Sequence, residues 1–192
     1  LPQPDDLIWT TLAGALCFFV IGLADDLFAL PPLPRLGLQL LVAMAVWSQG
    51  VRIGAIDLPF ALLGSHSGVI VLPDGLSLLA TVIWLVGITN AINWLDGLDG
   101  LAAGVSGIAA VGLLSVSYSL NQPAPGLLAA ALAGSCLGFL RHNFNPARIF
   151  MGDGGSYFLG FALAAISIVG PAKGLTSVSL LLPLLILSLP LA

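Results

Sequence analysis

A charge-free run in the middle of the chain leads directly into a cluster of aspartates and glycines, since residues 75–100 read GLSLLATVIWLVGITNAINWLDGLDG. Residues 75–95 carry no charge, and a helix that crosses the hydrocarbon core of a bilayer needs roughly 20 apolar residues. Asp96 and Asp99 follow at the point where such a helix would leave the membrane. This stretch therefore predicts a membrane helix that places carboxylates at one membrane face.

The composition of the whole chain agrees with a membrane protein. Of its 192 residues, 58% are hydrophobic and 7% are charged, and the mean hydropathy is +1.09. Such a chain has too little polar surface to cover a soluble globule, so we expect a lipid bilayer around it. The net charge is -4, with nine aspartates against five basic residues, and it offers no basic surface for nucleic acid. Nucleic-acid binding is therefore excluded as a function.

Charge-free runs of sufficient length predict an all-α fold, a polytopic bundle of about seven transmembrane helices. The long run at residues 100–140 is divided into two spans by the turn-forming residues 121–126, NQPAPG. Between the second and third spans, apolar residues alternate with Gly and Pro, which predicts a short extracytoplasmic hairpin or an irregular loop at residues 53–73. The predicted spans are residues 7–24, 36–51, 75–95, two within 100–140, 155–170 and 175–191.

Antiparallel crossings place every second connection of such a bundle on the same membrane face. Carboxylates at the ends of membrane helices are costly unless they are solvated or paired, so a shared face of acids indicates a functional site. Five aspartates follow the first, third and fifth predicted spans and should share one face: Asp25, Asp26, Asp96, Asp99 and Asp153. Three of the five basic residues fall on that face, a bias that predicts a cytoplasmic orientation: Arg35, Arg141 and Arg148.

The residues around these aspartates favour a site for a hard cation and for phosphate. In residues 90–100, NAINWLDGLDG, polar groups recur every third residue, and their carbonyl, amide and carboxylate oxygens suit Mg²⁺. Asp25 and Asp26 are adjacent and repel each other, which predicts a raised pKa or a nearby cation. The glycines at residues 152–155 precede a span, so their N–H groups are candidates to face a phosphate. His142 remains open as a base or an interfacial residue.

Three segments resemble the polyprenyl-phosphate N-acetylhexosamine-1-phosphate transferases: residues 22–26, GLADD; residues 89–104, TNAINWLDGLDGLAAG; and residues 145–156, NPARIFMGDGGS. The resemblance covers nearly the whole chain. It implies transfer of N-acetylhexosamine-1-phosphate from a UDP-N-acetylhexosamine to a polyprenyl phosphate, with release of UMP. It also implies a multi-pass protein of the bacterial plasma membrane with its active site facing the cytoplasm. A homodimer is left open.

The resemblance implies a role for individual residues. Mg²⁺ would be the cofactor, with Mn²⁺ as a substitute, and Asp153 and Asn93 would bind it. Asp25 or Asp26 would act as the base or organise the lipid phosphate, and Asp96 and Asp99 would act on the nucleotide-sugar. Phe150 would stack on uracil. The implied catalytic residues are thus Asp25, Asp26, Asp96 and Asp99, and the implied substrate-binding residues are Asn90, Asn93, Asp99, Asn145, Arg148 and Phe150.

The resemblance also narrows the reaction and the subfamily. Residues 93–96, NWLD, lack the threonine before the aspartate that the muramoyl-pentapeptide branch carries, so the chain is more similar to enzymes that load GlcNAc-1-phosphate. Such enzymes start O-antigen, teichoic-acid or related glycans. A lipid phosphate is already a nucleophile near neutral pH, so we expect direct attack rather than a phosphorylated aspartate.

Two features of the family are missing from residues 1–192, namely the first N-terminal helices and a basic, histidine-rich cytoplasmic loop. We therefore expect a single integral-membrane catalytic domain that is truncated at both ends. The main alternative is an ion-coupled transporter, whose polar residues should lie near the midplane of the bilayer. A different lipid transferase is a further alternative, but it would show aspartate-rich runs of another spacing.

Overall fold

The computed structural model describes residues 4–58 and 68–170 of the chain. Within these residues the fold consists of six helices and one two-stranded hairpin. In chain order the elements are α1 (Pro4–Phe28), α2 (Pro32–Ser48), β1 (Ala55–Leu58), β2 (Gly68–Val71), α3 (Asp74–Leu95), α4 (Leu101–Ser119), α5 (Pro123–Asn143) and α6 (Gly152–Val169).

The helices confirm a polytopic membrane protein. Five of them in the described part are long and apolar enough to cross a bilayer, namely α1 from Asp6 onward, α3, α4, α5 and α6. Helix α2 has 17 residues and is not among these five. Helices occur at each of the first six predicted spans, but the number seven is not confirmed, because the last predicted span, residues 175–191, lies outside the described residues.

The connection between α2 and α3 contains the hairpin, which was one of the two predicted forms. Strands β1 and β2 pair antiparallel, with Ala55 opposite Val71 and Leu58 opposite Gly68. Just before β1, the N–H group of Ile53 donates a hydrogen bond of 2.9 Å to the buried Oγ1 of Thr81. The hairpin is thereby attached to α3. Its extracytoplasmic location remains a prediction.

Helix α6 lies at the centre of the described fold and contacts α1 and α3 along its length. Within its most apolar window 72% of the residues are buried, against 44% or less in the other four membrane helices. Its Phe161 stacks on Phe18 of α1 with ring centroids 4.5 Å apart. The other helices therefore shield α6 from lipid, and its N-terminal end is fixed among its neighbours.

Two glycines allow the close contact between α6 and its neighbours. A Cβ atom on Gly22 of α1 would overlap the backbone carbonyl of Asp153. A Cβ atom on Gly160 of α6 would lie 2.6 Å from the Cα atom of Thr89 in α3. Small residues at such contacts are typical of membrane helices, where close packing of backbones drives association. Together they bring the end of α1 against the start of α6 and α3 against the middle of α6.

Polar side chains also join the helices inside the bundle. The indole Nε1 of Trp84 in α3 donates to Ser167 Oγ of α6 at 3.0 Å, and Asn90 Nδ2 donates to Gln39 Oε1 of α2 at 2.7 Å. The hydrocarbon core contains no water that could form hydrogen bonds with polar groups, so such pairs contribute to helix association. They connect α2 and α6 to α3.

Candidate active site

The aspartates that were predicted to share one membrane face meet at one end of the bundle. The C-terminal end of α1, the C-terminal end of α3 and the N-terminal end of α6 converge there, and side chains from all three are hydrogen-bonded. Asp26 of α1 binds the backbone of Asp153, and Asn93 of α3 binds its side chain. The prediction of a shared face is therefore confirmed for these residues.

Asp25 is the most buried of the five aspartates, with 9% of its surface exposed. Its Oδ2 forms an ion pair with Arg35 of α2, and its Oδ1 accepts the N–H of Leu30 at 2.8 Å. The Arg35 guanidinium also lies 3.6 Å from Oδ2 of Asp153. Arg35 is thus the cation that the adjacent aspartates were predicted to need. In the sequence, Arg35 indicated only the orientation of the protein.

Asp26 has different surroundings from Asp25, although the two are adjacent. Its Oδ1 accepts the N–H of Asp153 at 2.8 Å, and its Oδ2 accepts the N–H of Gly154 at 2.9 Å. Both carboxylate oxygens are therefore bound to the first turn of α6. The N–H groups of residues 152–155 were predicted as candidates to face a phosphate. Two of them, those of Asp153 and Gly154, are bound to this carboxylate instead.

The two predicted metal ligands, Asp153 and Asn93, lie side by side. Asn93 Nδ2 donates to Asp153 Oδ1 at 2.7 Å and to Ser156 Oγ at 3.0 Å. Ser156 is fully buried and was missed by the sequence analysis, although it ends the third quoted segment. Its Oγ also donates to the backbone carbonyl of Asp153 at 3.3 Å.

The charges and donors at this place fit a hard cation. Among the described residues no three His, Cys, Asp or Glu side chains form a ready metal cluster, so any metal would depend on mixed oxygen ligands. Asp153 supplies a carboxylate, and Asn93 can supply a carbonyl oxygen if its amide turns from the orientation that donates to Asp153. Arg35 alone offsets the nearby acidic charges within the described part of the chain. An Mg²⁺ ion bound by oxygen ligands would be compatible with this donor set.

Asp96 directly follows α3 and is partly buried. Among the described residues its carboxylate accepts no hydrogen bond. Burial, followed by the negative charges of Asp153 and Asp26, raises the pKa of Asp96 from 3.8 to about 6. Its surroundings therefore disfavour the ionised carboxylate. A bound cation or a hydrogen-bond donor on a substrate would stabilise that ionised form.

The raised pKa of Asp96 predicts a pH-dependent loss of stability. The folded protein keeps this proton up to a pH of about 6, whereas the unfolded chain releases it near 3.8, so stability falls as the pH rises between these values. We expect Asp96→Asn to raise the thermal unfolding midpoint at neutral pH by about 2–4 °C. Near pH 4 the difference should vanish.

This prediction can be tested by thermal unfolding of the detergent-solubilised parent protein in chelator across that pH range. Asp74→Asn is the matched control, because the side chain of Asp74 is 84% exposed at the other end of α3. A midpoint for Asp96→Asn that follows the unmodified protein at every pH would contradict the prediction.

Asp99 and Asn145, both predicted to bind substrate, are bonded to each other. Asp99 Oδ2 accepts Asn145 Nδ2 at 3.1 Å and the N–H of Ala147 at 3.0 Å. The buried Asn143 adds two bonds, since its Oδ1 accepts the N–H of Gly100 at 3.0 Å and its Nδ2 donates to the carbonyl of Ile149 at 2.9 Å. Together these bonds attach the segment at residues 144–151 to the turn between α3 and α4. The role of Asn143 was not recognised from the sequence.

The remaining predicted residues differ in where they lie. Arg148 and Phe150 are exposed on the segment before α6, and 79% of the Phe150 surface is accessible. His142 is exposed at the end of α5. Asn90 lies one helical turn deeper than Asn93, where its amide donates to Gln39 and to the carbonyl of Val86. The structure therefore does not bring Asn90 into contact with the aspartates.

Comparison with known proteins identifies relatives of this chain. Residues 8–171 match the model of the family described as "Glycosyl transferase family 4". A Bacillus subtilis (strain 168) protein described as a probable undecaprenyl-phosphate N-acetylglucosaminyl 1-phosphate transferase is 39% identical over 93% of this chain and 48% of its own length. A Mycobacterium leprae decaprenyl-phosphate N-acetylglucosaminephosphotransferase is 40% identical over 77% of this chain and 38% of its own length.

The muramoyl-pentapeptide branch matches over a shorter region. A phospho-N-acetylmuramoyl-pentapeptide-transferase from Nostoc punctiforme is 55% identical, but over 31% of this chain and 17% of its own length. The chain spans about half the length, or less, of the curated relatives described above. The relatives that match most of the chain are described as N-acetylglucosaminyl-phosphate enzymes, in agreement with the reading of residues 93–96.

Proposed function

The chain belongs to glycosyl transferase family 4, and from this membership we propose that its full-length parent transfers N-acetylhexosamine-1-phosphate from a UDP-sugar to a polyprenyl phosphate. The products would be UMP and a polyprenyl-diphosphate-sugar, the starting lipid of a cell-wall or surface glycan. The observation that carries the proposal is the meeting of Asp25, Asp26, Asn93 and Asp153 at one end of a membrane bundle. GlcNAc is the proposed sugar, because the relatives covering most of the chain carry that name.

The reaction joins two anionic substrates, so the site must compensate negative charge. Arg35 contributes a positive charge between Asp25 and Asp153. We propose Mg²⁺ as the cofactor, with Asp153 and Asn93 as the residues that would bind it. When bound, the ion would supply the charge that masks the diphosphate and stabilises the departing UMP.

The protein's own residues divide the remaining tasks by position. Asp25 is buried next to Arg35, and this ion pair suits a group that orients the lipid phosphate. Asp96 has a carboxylate free to accept donors of the nucleotide-sugar, and the exposed Phe150 offers an aromatic face for uracil. Direct attack by the lipid phosphate needs only positioning and charge compensation from these groups.

The experiment that tests the function uses the full-length parent in membrane vesicles, with UDP-GlcNAc, polyprenyl phosphate and Mg²⁺. Inverted vesicles, which expose the cytoplasmic face, should release UMP, whereas sealed right-side-out vesicles should not. If the detergent-solubilised parent releases UMP from none of several UDP-sugars, the proposed transferase activity is refuted. Release by right-side-out vesicles alone would refute the cytoplasmic orientation and leave the transferase in place.

The transporter alternative has no support among these findings. Its coupling residues should lie near the middle of the bilayer, but the aspartates of this chain lie at the ends of α1 and α3 and at the start of α6. The named relatives are described as transferases. We therefore keep one proposed function.

A further inference from the structure

The adjacent aspartates of α1 make different contacts: Asp25 pairs with Arg35, and Asp26 binds the start of α6. We propose that Asp26 is a positioning residue, which holds the N-terminus of α6 and thereby sets the place of Asp153. This assignment rests on the proposed function for its catalytic meaning, but the contacts behind it do not.

Helix α6 begins without a capping side chain of its own. The N-cap residue is Met151, which makes no capping hydrogen bond. The first N–H groups of a helix have no partner inside the helix, and a side-chain oxygen normally satisfies one of them. Here the carboxylate of Asp26 reaches across from α1 and accepts two of them, those of Asp153 and Gly154. Its negative charge also suits the positive end of the helix dipole.

The surrounding backbone is shaped to admit this carboxylate. Gly152 has a φ of +67°, a conformation that favours glycine, and a Cβ atom there would lie 2.8 Å from Asp26 Oδ2. A Cβ atom on Gly154 would lie 3.5 Å from the same oxygen, which is ordinary van der Waals contact, so this oxygen requires a glycine only at position 152. Any larger residue at position 152 would therefore force the carboxylate away from α6. The contact therefore depends on Asp26 of α1 and on the glycine at the start of α6.

These bonds attach both carboxylate oxygens of Asp26 to the backbone at the start of α6. Each oxygen keeps a second lone pair, and both oxygens of Asp25 are bonded as well, so these contacts give Asp26 a positioning role without deciding which aspartate accepts a proton. Asp26 acts on the site through Asp153. It holds the backbone of Asp153, while Asn93 and Arg35 contact the carboxylate of Asp153. Partners that orient a metal ligand typically change metal affinity about 10–100-fold when removed.

The test replaces Asp26 with Asn in the full-length parent, since an amide accepts through one oxygen and its NH₂ group would face an N–H donor. We expect about 10-fold weaker Mn²⁺ binding by electron paramagnetic resonance. Faster hydrogen exchange at the amides of Asp153 and Gly154 should accompany it, together with a turnover loss that high Mg²⁺ partly restores. Unchanged Mn²⁺ affinity and unchanged exchange, with turnover lost at every Mg²⁺ concentration, would assign Asp26 to the chemistry and overturn the inference.

A second variant gives α6 a cap of its own. Adding Met151→Asp to Asp26→Asn places a carboxylate at the N-cap position, where it can accept the same N–H groups. Recovery of slow exchange, Mn²⁺ binding and turnover is expected for a positioning residue, and recovery of exchange without turnover would overturn the inference. Met151→Asp alone controls for the added charge, and the double variant decides the matter if Asp26→Asn does not fold. Hydrogen exchange needs no substrate, so it also separates this inference from a failure of the proposed transferase.

Discussion

Asp153→Asn in the full-length parent is expected to reduce turnover at least about 10²–10³-fold, the range seen when a group that stabilises transition-state charge is removed. Asp153 is the carboxylate that both Asn93 and Arg35 contact, and it is the proposed metal ligand. The amide has nearly the same shape but no charge, so it should keep the contacts of α6 while losing the cation.

The measurement is UMP release, with the thermal unfolding midpoint and Mn²⁺ binding recorded on the same samples. Asp74→Asn, on the exposed start of α3, is the control for the loss of an acidic charge and should behave as the unmodified protein. Full turnover, or undiminished Mn²⁺ binding, in Asp153→Asn would remove Asp153 from its role as metal ligand.

Gly22→Ala should have the second large effect, although Gly22 carries no chemistry. Its added methyl group would overlap the backbone of Asp153, so α1 and α6 must separate at the site. Such overpacking costs about 1–3 kcal/mol of stability, and a displacement of about 1 Å at a catalytic group costs about 10²-fold in rate. We therefore expect a lower unfolding midpoint together with a large loss of UMP release.

Gly134→Ala is the matched control for this variant. A Cβ atom on Gly134 of α5 meets nothing within 4 Å, so the same chemical change has no packing cost there. It should leave turnover unchanged and leave stability unchanged or raised by about 0.5–1 kcal/mol, because alanine favours the helix. Equal behaviour of the two alanine variants would show that the contact at Gly22 does not position the site.

The sequence was sufficient to predict the positions of the six described helices and the shared face of the aspartates. Both follow from the lengths of charge-free runs, because a bilayer fixes how many residues a helix needs and each crossing reverses direction. The juxtaposition of Asn93 and Asp153 follows in turn, since one ends α3 and the other begins α6. The hairpin between α2 and α3 was one of two forms that the sequence allowed.

The different contacts of Asp25 and Asp26 could not be predicted in this way. Neighbouring residues on a helix point about 100° apart, so which of them meets Arg35 and which meets α6 depends on how α1 is rotated in the bundle. Arg35 entered the sequence-based prediction only as a basic residue that indicates the orientation, but α2 turns back closely enough after α1 for its guanidinium to pair with Asp25. Contacts between elements decide both cases, and periodicity does not report them.

The segment at residues 144–151 shows the same limit. Asp99 and Asn145 are far apart in sequence, and a hydrogen bond between them could not be read from spacing. Asn143 has a polar side chain at the end of an apolar helix, which is usually a solvated position, yet it is 4% exposed and joins two segments. Substrate binding by Asp99 and Asn145 remains a prediction.

The central place of α6 has a consequence for how the protein is made. Among the described helices α6 is the last to leave the ribosome, yet α1 and α3 pack on it. Until it arrives, Phe18 has no ring to stack on, Trp84 has no hydroxyl to bind and Asp26 has no helix to cap. These polar groups of the earlier described helices therefore stay unpaired until α6 inserts, and its insertion brings Asp153 to Asp26 and Asn93.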